Sequence, residues 1–174
     1  MSVPTRDQAI TELDKGYHTV QQLCARLSAM QMARPATIGN GAWSAKDLLG
    51  HLAFWEELAA QAVADWRAGH RPSVEDLFDQ QRTDVANAGN YERTSDQSLH
   101  DVVERARVAH RAIVAAISTL SDQEWSASPL YADPHAADLG DLLGGVLAAP
   151  SGPFQHASAH LEDLRAYVES QHGQ

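Results

Sequence analysis

From Thr5 onward, apolar residues return at alternating steps of three and four: Ile10, Leu13, Tyr17, Val20, Cys24 and Leu27. A recurrence near 3.6 places them on one side of a helix, and the spacing predicts a first helix from about Thr5 to Met30. Thr5 suits the N-cap, with Asp7 in the first turn. Pro35 and the Gly39-Asn40-Gly41 cluster then interrupt the pattern. A second helix is expected over "WSAKDLLGHLAFWEELAAQAVADWRAG", capped by Ser44 with Asp47 three residues on and stopped by Gly69. Its inward stripe reads Leu48, Leu52, Trp55, Leu58, Ala62 and Trp66.

Beyond Gly69 the chain is polar and mixed from Pro72 to Asn90, with room for a short helix whose Leu77 and Phe78 pack on the rest. A third helix is expected from near Ser95, its buried face marked by Leu99, Val102, Ala106, Ala109, Ile113, Ala116 and Leu120. "SDQEW" from Ser121 reads as a capped turn, and Pro129 and Pro134 bound an irregular loop. "DLGDLLGGVLAA" is ambiguous, because paired glycines weaken a helix. A fourth helix is expected from Pro153, a favoured first helical residue, through Phe154, Ala157, Leu161, Leu164 and Val168. No stretch alternates apolar and polar as a strand does, and no repeat or linker divides the chain. The expectation is an all-α bundle of four main helices in one domain over 1–174, with a short extra helix or loop between helices 2 and 3.

Composition narrows the function classes. A length of 174 residues with 44% hydrophobic residues suffices for a core without staples. The formal net charge of −10, with Lys15 and Lys46 the only lysines, argues against nucleic acid as a partner. No apolar run approaches the roughly 20 residues of a membrane helix, and the N-terminus lacks signal-peptide character. The expected location is the cytoplasm. The single cysteine, Cys24, lies on the apolar stripe of the first helix and reads as a buried hydrophobe rather than a nucleophile.

The chemistry concentrates in histidine. Of nine, His18, His70, His100, His135 and His172 fall on polar faces, in loops or at the terminus. His110, at the edge of the third helix's stripe, reads as a hydrogen-bonded boundary residue. His156 and His160 are spaced to share one helical face and direct two nitrogens at a common ion. The glutamate of an HExxH zinc protease is absent, since Ala157 follows His156. His51 sits beside Leu48, Leu52 and Trp55 on a face that should be buried, where an unpaired imidazole is costly. Helices of a bundle can bring such ligands together in the core. Three neutral imidazoles suit zinc, nickel, iron or cobalt, and not magnesium or calcium.

"WSAKDLLGHLAFWEE" early in the chain and "HASAHLEDL" near its end resemble the DinB-like (YfiT-like) family of four-helix bundle metalloproteins. "MSVPT" and the general layout also resemble the related ClbS/DfsB group. The resemblance implies an antiparallel four-helix bundle and a divalent-metal triad at His51, His156 and His160. Members of the family include mycothiol-dependent isomerases and bacillithiol-dependent transferases. The resemblance therefore implies a metal-dependent S-transferase or detoxification enzyme acting on electrophilic small molecules, with a low-molecular-weight thiol such as mycothiol or bacillithiol as co-substrate. The alternative is a non-catalytic stress-response protein that binds or sequesters a small molecule or metal.

Asp47, one turn before His51, is a candidate to orient that imidazole, or else only a capping carboxylate. Arg67 and Arg71 are candidates to attract a thiol's carboxylates, or ordinary helix-end cations. The "LLGGVLAA" stretch is open to two readings, a homodimer contact or packing within the monomer.

Overall fold

The computed structural model describes residues 4–132 and 134–172. The opening Met1–Val3 and the side chain of His172 lie outside the described residues. The described chain is helical, with isolated bridges Ile38–Trp43 and Ala149–Gly152 and no strand. In chain order the helices are α1 (Arg6–Cys24), α2 (Ala29–Met32), α3 (Ala45–Arg67), α4 (Ser73–Asp79), α5 (Thr83–Thr94), α6 (Leu99–Ser118), α7 (Asp122–Trp125), α8 (Leu139–Val146) and α9 (Leu161–His172). A 3-10 helix, His156–His160, leads directly into α9.

Local chemistry sets the helix starts. Thr5, Ser28, Ser44 and Ser121 each cap a helix, with Gln8, Gln31, Asp47 and Glu124 returning the bond to the cap backbone. Each such cap contributes on the order of 1 kcal/mol. These caps also correct two expected boundaries. The first helix ends at Cys24 rather than Met30, because Ser28 opens the separate α2. Leu27 is buried nonetheless, just past the helix end. The third long helix starts after Ser98 rather than at Ser95, which instead closes α5.

α3 packs most extensively on α6 and also meets α5 and α8, while α1 packs on α6, α9 and the 3-10 helix. The seam is lined by Ala9, Leu13 and Val20 from α1, Leu48, Leu49, Ala53 and Ala59 from α3, and Val102, Ala106 and Ile113 from α6. α8 completes this core. Leu142, Leu143, Val146 and Leu147 are all buried within the monomer, which accounts for the apolar "LLGGVLAA" without a second copy. Its glycines are there for approach: a Cβ on Gly140 would lie 2.6 Å from the Trp125 ring, and one on Gly144 would meet Pro153 at 3.1 Å.

The segment 72–94 forms two helices, α4 and α5, where one short helix was expected. α4 is anchored by Glu75, which is fully buried and accepts from Tyr131 Oη at 3.0 Å and from the His135 backbone at 3.3 Å. Arg71 pairs with Glu75, Asp76 and Asp79, and His135 also contacts Asp79. This cluster ties the loop after α7 to α4, whose Phe78 faces the region described next.

Candidate metal centre

His51 lies two turns into α3, on the buried side the apolar stripe predicted, with 6% of its surface exposed. His156 and His160 do not lie on an α-helix as expected. The chain cannot enter one at Pro153, because the Ala149–Gly152 bridge turns it and Phe154, itself buried, adopts φ 59. A bulky residue in the left-handed region is a local strain that the surrounding packing must hold. Phe154 stacks on Trp125 at 5.8 Å, and the His156 amide donates to the Leu147 carbonyl at 2.9 Å. The chain then runs as a 3-10 helix into α9. At about 3.0 residues per turn, positions i and i+4 no longer superimpose.

The two histidines converge on His51 even so. His51 Nε2 and His156 Nε2 are 3.0 Å apart, and the ring centroids of the three lie 4.9, 5.1 and 5.3 Å from one another. Each offers one nitrogen such that all three lie within 4.8 Å. Nitrogens sharing a tetrahedral ion at about 2.0–2.1 Å stand roughly 3.3 Å apart. The closest pair is already near that separation.

Electrostatics keep the rings neutral. Burial, reinforced by the neighbouring His156 and His160, pushes His51 down to about 2, against a weaker opposing effect of Asn87. Burial with His160 beside it pushes His156 down to about 4. Burial also lowers His160, with Asp163 opposing. A neutral imidazole carries the lone pair that a metal requires. His51 Nδ1 is buried without a hydrogen-bond partner, an unsatisfied polar atom in a native-like core. The donor set fits a borderline-soft divalent ion.

The three histidines form the floor of an open cleft of about 380 Å³. Trp43 covers one side, 4.6 Å from the His51 ring and 6.0 Å from His160. Trp55 and Phe78 stack at 6.4 Å on another, and Trp55 Nε1 donates to Asn87 Oδ1 at 2.9 Å. Val146 and Pro150 complete the rim, and among the described residues no carboxylate, lysine or arginine lines it.

The remaining expected residues lie elsewhere. Asp47 Oδ2 accepts from the Ser44 amide at 3.0 Å and from Ser44 Oγ at 2.6 Å, so it serves the cap, and the orienting bond to His51 Nδ1 is not made. Arg67 pairs with Glu124 and donates to the Thr119 carbonyl, while Arg71 is held in its acidic cluster. Cys24 is buried, which pushes its thiol up to about 12. His110 is the hydrogen-bonded boundary histidine expected. Trp43 and Asn87 are the cleft residues that sequence reasoning missed. Trp43 is the residue before a helix cap and Asn87 lies in a polar segment, so neither stands on a periodic stripe.

The DinB superfamily profile matches residues 12–148, a segment that includes His51 and ends before His156. No curated protein matches the chain significantly. Among solved structures, an uncharacterised protein from Escherichia coli UTI89 has a TM-score of 0.76 at 18% identity, over 99% of this chain and 98% of that one. A Streptococcus pneumoniae protein has a TM-score of 0.65 at 13% identity, over 99% and 93%. The colibactin self-resistance protein ClbS, solved in complex with a dsDNA, has a TM-score of 0.63 at 15% identity, over 98% of both chains. At such identities the likeness concerns the fold. The dsDNA bound by ClbS stands against a general exclusion of nucleic acid drawn from net charge alone. No described helix is long and apolar enough to cross a membrane. With the profile matched over most of its length and the helical fold shared end to end, the chain belongs to the DinB superfamily.

Proposed function

We propose that this protein holds a divalent transition metal on His51, His156 and His160 and uses it on a small molecule in the adjoining cleft, as a metal- and thiol-dependent detoxification enzyme. The observation that carries the reading is the convergence of three neutral, largely buried imidazoles at the floor of an open cleft. A structural site would be closed, whereas a working one keeps a side open to ligand. A metal bound there would supply Lewis acidity, lowering the pKa of a thiol or water.

The chain's own residues do the rest. Burial keeps the three rings unprotonated, and Trp43, Trp55 and Phe78 form an apolar wall that holds an electrophile and excludes water. Among the described residues the cleft lining contains no carboxylate and no cysteine, so these offer neither a strong general base nor a thiol nucleophile. That absence favours an external thiol, whose sulfur bonds to the electrophilic carbon as that carbon's leaving group departs with the bonding electron pair, the thiol proton passing to solvent. No described lysine or arginine lines the cleft, so a nucleic-acid backbone finds no cationic side chain there.

Elemental analysis of untagged protein is expected to find about one zinc, nickel, iron or cobalt per chain, dropping below about a tenth in His51→Ala. Incubation with a generic electrophile and several thiols is expected to give product only with metal and one class of thiol. Saturable ligand binding with no product would replace the enzyme with a sequestering protein. A protein that takes up no transition metal even when supplied with it would sink the proposal.

A further inference from the structure

A second groove of about 430 Å³ adjoins the cleft, and Trp43 and Asn87 line both. The groove adds Asp84 and Tyr91, and Asp84 is its only ionic residue among the described ones. Tyr91 is 39% exposed, one of the few large apolar-faced side chains left open to water in the described chain. Among the described residues no arginine or lysine lines either one.

Two aromatic residues and one carboxylate, with no described cationic side chain among them and the histidines at the far side of Trp43, are a composition that recognises an organic cation. Aromatic faces attract positive charge through their quadrupole, and the carboxylate adds a direct charge contact. A divalent metal on the histidines would draw an anionic group to that end of the cleft, whereas Asp84, on a protein whose net charge is −10, favours a cationic group at the other. Asp84 also lies in the first turn of α5, where a negative charge favours the helix. That role accounts for the carboxylate but not for the aromatic residues that share its groove.

We infer that the groove between Trp43, Asp84 and Tyr91 is a subsite for an organic cation, and that the ligand of the histidine cleft is an aryl-bearing ammonium compound. The inference rests on the reading of that cleft as a ligand site. The aryl part lies against Trp55 and Phe78 and the ammonium reaches over Trp43 towards Asp84.

The test uses benzyltrimethylammonium and phenylmethanesulfonate, which share a benzyl group, carry opposite charges and are poor metal ligands. Calorimetric titration into zinc-supplied and metal-free protein is expected to show the ammonium binding at least about tenfold more tightly than the sulfonate in the metal-free protein, with a smaller preference where zinc adds its positive charge to the cleft. Asp84→Asn and Tyr91→Ala, both surface changes, are each expected to weaken it by roughly three- to tenfold, with melting temperatures confirming that both variants fold. Equal affinity for the two probes, no binding of the ammonium, or an unchanged affinity in Asp84→Asn would overturn the inference. Zinc stoichiometry on the same samples reports the metal separately. Ammonium binding in a protein that takes no zinc would leave the subsite standing and remove the metal, and zinc uptake with no charge preference would do the reverse.

Discussion

At the scale of single residues, burial lowers the pKa at two sets of histidines, and the neighbouring groups decide which set stays neutral. The three at the cleft have no carboxylate in their own cluster and are driven neutral. His110 is as buried as His51, and burial disfavours its charge too. The carboxylates of Glu56, 3.1 Å from Nδ1, and Asp14, 2.9 Å from Nε2, outweigh it and raise the pKa above 6.5. The Tyr17 ring stacks on the imidazole at 3.9 Å and holds it flat between them. A raised folded-state pKa contributes stability that is complete below the unfolded value of about 6.5 and is lost as pH rises through the folded value. His110→Gln is therefore expected to cost on the order of 2 kcal/mol near pH 6 and less at alkaline pH, read from urea midpoints across pH. A cost that grows with pH would contradict the charged assignment. Asp47 offers a second case. Asp47→Ala should lower stability by about 1 kcal/mol through the lost cap, with zinc affinity changing less than about threefold. A loss of tenfold or more in competition titrations would restore its orienting role.

Among elements, the decisive one is the 3-10 helix that carries His156 and His160. It is seated by α1, where Gly16 lets the two backbones approach so closely that an added Cβ would lie 2.9 Å from Ala157 Cβ. Gly16→Ala gains helix propensity worth about 1 kcal/mol yet forces the 3-10 helix outward at a cost of roughly 1–3 kcal/mol. The expected outcome is a net loss of stability together with weaker zinc binding, since His156 moves with its helix. Gly145→Ala, where nothing lies within 4 Å, should be neutral or stabilising by up to about 1 kcal/mol. Chemical denaturation of the pair checks the contrast, and equal effects would mean that α1 does not seat the turn. The long helices α1, α3 and α6 were legible because their stripes and caps are local. The last helix was misread at its start because "GPFQHASAH" has the periodicity of an α-helix. What prevents one is the Phe154 backbone held against Trp125, a contact between distant residues.

For the whole molecule, the histidine cluster joins α3 to the C-terminal segment across 105 residues of chain. A ligand that binds only the folded state at a thousandfold excess over its dissociation constant adds about 4 kcal/mol. For a chain of this size that corresponds to roughly 10 °C in melting temperature. Removing metal with a chelator is expected to lower the melting temperature by that order, and restoring zinc to recover it. His51→Ala protein should show neither response, and a chelator effect that survives in that variant would place the metal elsewhere.

The amino-acid sequence by itself determined the helical class, the caps at Thr5, Ser44 and Ser121, the buried side of α3 and the identity of three imidazoles able to meet, because helix periodicity and capping are encoded within a few residues of each position. Only the tertiary structure decided that Asp47 serves the helix rather than the histidine, that the glycines of α8 admit Trp125 and Phe154, and that Trp43 and Asn87 wall the cleft. These depend on which surfaces face one another across the bundle, and no local pattern along the chain carries that information.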